Sequence, residues 1–200
     1  MYGLIKTGLI GSIFLILGDA IQFVRVMFIF LNFPTSPYVG PLYILSNLLI
    51  LAHYILLGLG LLGIFRTYHY VKGHESMIVM GIYFLSIIPL GVFFFGFYGF
   101  GFLYYSYFSF LLKILYSIYD CIIIVTGILL LVLKFNIKSK MIPAILLISA
   151  GAFIFWHNLG IFPLSLILKE STYDLVIKIG SLVRSSGLFI AFLKFNQNAI

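Results

Sequence analysis

Ionisable side chains stand singly within long apolar segments of this sequence, near the middle of each segment. They are Asp19, His53, Asp120, His157 and Arg184. Placing an Asp or Arg at the centre of a bilayer costs about 2.5–3.5 kcal/mol, so such residues usually face protein, water or a ligand. We expect them to form one polar layer, in which Arg184 contacts Asp19 or Asp120. With the neighbouring Gln22, these three residues are the candidates for a proton or ion pathway.

Further polar residues share helix faces with this layer, at spacings of three and four residues. Gln22 and Arg25 follow Asp19, Lys113 precedes Asp120, and Lys178 precedes Arg184. The cations Arg25, Lys113 and Lys178 are candidate contacts for an anionic group, such as the propionates of a haem. Alternatively, each of these long side chains reaches the lipid headgroups and has no ligand.

The two mid-segment histidines, His53 and His157, indicate a second kind of site. Imidazoles at matched depth on different helices could ligate one haem iron from opposite sides. Gly60 and Gly160 lie on the same helix faces and leave room for a porphyrin. The expected cofactor is haem b, with iron as the only metal. The alternative is that each histidine is a hydrogen-bonded packing residue.

Six apolar runs must position these residues, at about 3–31, 39–65, 77–103, 107–133, 141–168 and 173–193. Each is long enough to cross a bilayer, which takes about 20 apolar residues at a rise of 1.5 Å each. The connections are short, so consecutive helices pack as antiparallel neighbours. We predict an all-α polytopic membrane protein: one domain over residues 1–200, folded as a compact six-helix bundle. A faint repeat that ends in Lys-Phe-Asn at 134–136 and 194–196 indicates three helical hairpins.

Basic residues in the loops and at the chain ends predict the orientation, because cytoplasmic segments are enriched in Lys and Arg. One side carries Lys6, Arg66, Lys72, Lys134, Lys138, Lys140 and Lys194, whereas the other carries Lys169 alone. We therefore expect a protein of the cell membrane with both termini in the cytoplasm. The cytoplasmic halves of the segments contain almost no polar residues, so the predicted polar pocket opens outward above an apolar floor.

Composition excludes several classes of protein. Hydrophobic residues make up 63% of the 200 residues and charged residues 8%, whereas about a quarter of a soluble domain is charged. The formal charge of +7 indicates contact with anionic lipid headgroups and no nucleic-acid partner. Cys121 is the single cysteine, which excludes an intrachain disulfide. No serine-hydrolase, zinc-protease, Walker or dinucleotide-binding motif is present.

Three functional hypotheses follow from these residues. The first is a membrane-embedded subunit of a respiratory electron-transfer complex, with haem b or a quinol pocket and with quinone or other membrane subunits as partners. The second is a small transporter or channel for a proton, a cation or a small anion. The third is an accessory subunit whose buried charges only hold helices together. The excess of cations in the polar layer suits propionates, which favours the first hypothesis.

Overall fold

The computed structural model describes residues 2–31, 39–67, 105–132, 139–159 and 170–198, and nearly all of them are helical. The helices are α1 (Tyr2–Phe30), α2 (Val39–Thr67), α3 (Tyr105–Val132), α4 (Met141–Leu159) and α5 (Glu170–Asn198). A helix pairs its backbone N–H and C=O groups within its own segment. Lipid offers these groups no hydrogen-bond partner, so apolar runs of this length fold as helices.

Four of these helices, α1, α2, α4 and α5, are long and apolar enough to cross a membrane, and α3 contains a shorter apolar stretch, Tyr116–Val132. The prediction of a helical, multi-pass membrane protein is confirmed at this level. The described residues give four candidate spans instead of the predicted six. The predicted third segment, 77–103, lies outside the described residues, as does the second part of the predicted fifth segment, 141–168.

The helix ends follow local sequence rules. Pro41 and Pro143 each occupy the third position of a helix, α2 and α4 respectively, where the missing backbone N–H would have had no partner within the helix. Ser139 has a φ of 57° in the turn before α4. The neighbouring Lys140 Nζ donates a hydrogen bond to the backbone oxygen of Leu131, at 3.2 Å. Lysine side chains near the C-terminus of a helix can bond its last carbonyl groups in this way.

Helix α5 lies at the centre of the described bundle. It packs against α1 and α4, while α1 also packs against α2 and α4 against α3. The glycine contacts show that α1 and α2 are antiparallel, because Gly8 meets Gly60 and Gly18 meets Ser46. The same holds for α4 and α5, in which residues 146 and 147 meet Gly187 and Phe153 meets Gly180. Helix α5 therefore contacts one member of the α1–α2 pair, α1, and its own antiparallel partner, α4.

The helices approach most closely where glycines face each other. A Cβ atom added to Gly60 would lie 2.4 Å from the Cα atom of Gly8 and 2.8 Å from the ring of Phe192. Contact this close between backbones requires residues without side chains. Helices α1, α2 and α5 are therefore in close contact at the height of Gly8, Gly60 and Phe192.

Buried residues are segregated along the bundle. The end that holds the N-terminus of α1 and the C-termini of α2, α3 and α5, called the terminal end here, has an apolar core that includes Ile5, Leu61, Leu130, Leu147, Phe192 and Phe195. Buried charged residues begin about midway along the helices, with Asp19, Asp120 and Arg184. The predicted pocket and its apolar floor stay predictions.

Candidate functional site

An ion pair inside the bundle is the best-defined feature of the polar layer. Arg184 Nη1 on α5 donates to Asp120 Oδ1 on α3 at 2.5 Å, and the two side chains are 11% and 0% exposed. A charge-assisted bond of this kind is short and about twice as strong as a neutral hydrogen bond. The sequence predicted that Arg184 would pair with one of two acids, and the structure shows that the acid is Asp120.

A third helix completes the surroundings of Asp120. Asn158 Nδ2 on α4 donates to Asp120 Oδ2 at 2.7 Å. An N–H group can only donate, so both carboxyl oxygens act as acceptors. Asp120 therefore joins α3, α4 and α5, and its ion pair with Arg184 favours the ionised carboxylate.

The second acid of the layer, Asp19, is buried to the same degree but is bonded differently. Its side chain on α1 is 3% exposed, and Oδ2 has no hydrogen-bond partner among the described residues. Arg184 and Lys178 of α5 act on Asp19 through their charges, and the Ser185 hydroxyl is its hydrogen-bond partner. Ion pairs within 4 Å in the described part of the chain involve Asp120 but not Asp19. The two acids thus lie in one layer, but only Asp120 has a direct ion pair within 4 Å among the described residues.

Amide side chains extend the polar layer toward the end of the bundle opposite the terminal end. Lys178 Nζ on α5 donates to Gln22 Oε1 on α1. Gln22 Nε2 in turn lies 3.4 Å from Asn47 Oδ1 on α2, so three helices are connected in series. We call the combined set of Asp19, Gln22, Asn47, Asp120, Asn158, Lys178 and Arg184 the charged cluster.

Two predicted cations lie at the margin of the charged cluster. Arg25, one turn beyond Gln22, is half-buried and acts electrostatically on Lys178. Lys113 lies on α3, in the part of that helix whose side chains are outside the described set. Contacts of either residue with a propionate or another anionic group stay predictions.

His53 is bonded to two neighbouring helices. Nδ1 lies 2.9 Å from the backbone oxygen of Gly11 on α1, and Nε2 lies 3.1 Å from the hydroxyl of Tyr119 on α3. Because a carbonyl oxygen can only accept, Nδ1 carries the proton, and the neutral ring accepts from Tyr119 through Nε2. Both nitrogens of this fully buried ring are therefore engaged within the protein. An iron ligand needs one free nitrogen lone pair, so ligation of a haem by His53 Nε2 would require the Tyr119 hydroxyl to move away, and this ligation stays a prediction.

His157 has a different set of neighbours. It lies in the last turn of α4 as described, whereas the sequence placed it near the middle of a longer segment. Its Nδ1 forms a hydrogen bond with the hydroxyl of Tyr173 on α5, and the ring centroids are 5.1 Å apart. The two histidines are thus bonded to different partners. Their convergence on one haem stays a prediction that these contacts do not favour.

Tyr119, like Asn47 and Asn158, is a residue of this layer that was not predicted as a site residue from the sequence. Its ring lies edge-on to Tyr54, with centroids 5.3 Å apart, and the Arg184 guanidinium carbon lies 4.9 Å from the Tyr119 centroid. A cation over an aromatic face is attracted by the ring quadrupole. One signal was available in the sequence, since Tyr119 lies in mid-segment, away from the membrane surfaces where tyrosine is usually enriched.

The described residues contain no group of three or more His, Cys, Asp or Glu side chains placed to hold a metal ion. The charged cluster consists of Lys, Arg, Asp and amide side chains, which can donate and accept hydrogen bonds. In comparisons with known proteins, this chain matched no family model, no curated protein and no solved structure.

Proposed function

We propose that this chain is a small membrane transporter whose charged cluster binds a small anion during passage across the bilayer. The observation that carries the proposal is that hydrogen bonds and an ion pair connect charged and amide side chains of all five described helices, with Asp120 and Arg184 buried and Gln22, Asn47, Asn158 and Lys178 half-buried. Charged residues at membrane depth are costly, and they commonly line substrate and ion pathways. An accessory subunit would need only enough charge to hold its helices together.

Hydrogen-bond donors without an acceptor favour an anion as the transported ion. Asp120 compensates Arg184 directly, while Lys178 is under the influence of the acids Asp19 and Asp174 and of the cation Arg25. Two buried donor groups, Arg184 Nε and Asn47 Nδ2, have no acceptor among the described residues. Unused donors near the cations Lys178 and Arg184 are suited to a ligand that only accepts hydrogen bonds.

The proposal includes the finer architecture inferred from the sequence. It places six spans in a cell membrane, with both termini in the cytoplasm and the charged cluster open to the outside. The apolar core at the terminal end then closes the cytoplasmic side of the pathway. Transport would require Gly8, Gly60 and Phe192 to separate, because they hold three helices in contact at that level.

Electron transfer is supported less well by the geometry, because both ring nitrogens of His53 have partners within the protein. An absorption spectrum of the purified protein, with and without dithionite, tests this hypothesis directly. A reduced-minus-oxidised band of b type would favour the electron-transfer hypothesis over the transporter.

Transport can be tested in proteoliposomes with chloride, nitrate, phosphate and acetate as separate probes. We expect uptake of at least one of these anions above that of empty vesicles, and at least a tenfold loss in Lys178→Gln. Lys6→Gln is the matched control, since Lys6 is exposed near the N-terminus of α1, and it should retain uptake. Absence of uptake of all four anions by the folded protein would contradict the proposal and leave the accessory-subunit hypothesis.

A further inference from the structure

We infer that Asp19 is the proton-binding group of the charged cluster, whereas Asp120 stays ionised and serves as the fixed partner of Arg184. The contrast lies in their contacts. Each oxygen of Asp120 accepts a hydrogen bond from an N–H donor, at 2.5 and 2.7 Å, so a proton on either oxygen would point at a donor. Oδ2 of Asp19 has no partner among the described residues and can carry a proton without losing a bond.

Burial explains why the difference matters. Asp19 and Asp120 are 3% and 0% exposed, so water stabilises neither charge. An ionised carboxylate away from water is stable only when it is paired and hydrogen-bonded. Asp120 meets both conditions, while Asp19 is influenced by its cations only at longer range. Uptake of a proton therefore removes a poorly compensated charge at Asp19 but would break a direct ion pair at Asp120.

The groups that surround Asp19 come from each helix packed against α1. On α5 they are the cations Lys178 and Arg184, together with the Ser185 hydroxyl. Tyr119 of α3 is also within electrostatic reach of Asp19. On α2 the titratable groups are His53, which bonds to α1 two turns away, at Gly11, and Tyr54, whose ring packs against Tyr119. Asp19 is therefore the acid of this layer whose charge can change while the Arg184–Asp120 bond stays intact.

This role deepens the transporter proposed above, and it rests on that proposal. In the resting state the negative charges of Asp19 and Asp174 both act on Lys178. When the Asp19 carboxylate takes a proton from the outer side, the carboxyl becomes neutral and gains an O–H donor, and one of these two negative charges is lost. One monovalent anion beside Lys178 replaces it. The geometry thus points to entry of one proton with each anion, since either one alone changes the net charge there.

Infrared spectroscopy tests protonation of Asp19 independently of transport. The C=O stretch of a protonated carboxyl that is buried and weakly hydrogen-bonded lies apart from that of acids in water. We expect such a band in pH-difference spectra of the purified protein and its disappearance in Asp19→Asn. The matched control is Asp174→Asn, which removes an exposed acid and should leave the band unchanged. A spectrum without the band, or a band retained in Asp19→Asn, would overturn the assignment.

A second experiment tests coupling in proteoliposomes that contain a trapped pH-sensitive dye, with the same four anions as probes. We expect anion entry to acidify the lumen in the parent protein and to lose at least 90% of this acidification per anion in Asp19→Asn. Anion uptake without acidification would refute coupling at Asp19 and leave the proposed transport standing. If no anion is taken up but the Asp19 band is present, the proton site is supported and the transport proposal fails.

Discussion

Removing the charge of Arg184 should destabilise the protein more than any other single substitution in the polar layer. Arg184→Gln leaves the fully buried Asp120 carboxylate with Asn158 as its remaining side-chain donor. Breaking a buried ion pair by removing one partner costs about 3–5 kcal/mol, because the other charge stays buried without compensation. The contact between the guanidinium and Tyr119, at 4.9 Å, is lost as well. It contributes roughly 0.5–2 kcal/mol at a site of this kind.

The reciprocal substitution should cost less, for a reason visible in the structure. Asp120→Asn leaves Arg184 without its direct partner, but Asp19 still acts on the guanidinium from α1. We therefore place Asp120→Asn at the lower end of the same range, about 3 kcal/mol. The double variant removes both charges and keeps polar groups of similar size, so its loss should be smaller than that of Arg184→Gln alone.

Thermal unfolding in detergent measures these differences. One kcal/mol shifts the melting temperature by roughly 2–4 °C for a chain of this size. The two losses together come to roughly 3.5–7 kcal/mol, so Arg184→Gln should lower the melting temperature by roughly 7–28 °C. The exposed Asp174→Asn is the matched control and should shift it by no more than about 2 °C, since surface changes are usually within 0.5 kcal/mol. The reasoning fails if Arg184→Gln melts like the parent, or if the double variant is less stable than both single ones.

Three further predictions concern packing, the buried histidine and orientation. Gly60→Ala should destabilise the protein by about 1–3 kcal/mol through overpacking, because its new Cβ atom would lie 2.4 Å from the Cα atom of Gly8. Gly3→Ala is the control, since a Cβ atom there has nothing within 4 Å, and equal melting temperatures of the two variants would contradict the packing. Tyr119→Phe should lower the free energy of unfolding by about 1–3 kcal/mol, because the buried His53 Nε2 loses its donor. Tyr173→Phe should cost less, because Tyr173 is only half-buried, and a larger loss of stability from Tyr173→Phe in thermal unfolding would refute this ranking. Cysteines introduced at Ser36 and Ser139 should react with an impermeant maleimide from outside and from inside the cell respectively, and the reverse pattern would invert the proposed orientation.

The helices were predictable from the sequence because bilayer thickness and backbone pairing leave little freedom. Segments 3–31, 39–65 and 107–133 correspond closely to α1, α2 and α3. Depth was also predictable, since a rise of 1.5 Å per residue converts sequence position into height along the helix. This is why Asp120 and Arg184 could be placed in one layer before their contact was known.

The direction in which each side chain points was not predictable from depth. One residue turns the helix by about 100°, and the neighbours on each side depend on which helices pack together. His53 and His157 were assigned to one layer, but close packing at Gly11 aims His53 at α1, and His157 bonds to Tyr173 on α5. The choice between Asp19 and Asp120 as partner of Arg184 likewise required the packing arrangement.

The unequal treatment of the two acids connects the fold to the proposed function. A bundle that used its charges only for cohesion would compensate Asp19 as fully as Asp120, because each uncompensated buried charge reduces stability. Instead, α3, α4 and α5 are joined through a saturated carboxylate at Asp120, while α1 holds a carboxylate with one unbonded oxygen against two cations of α5. The saturated acid keeps Arg184 in place. The unsaturated acid can then change its charge without loosening the helices around it, which is the property that a proton-coupled pathway requires.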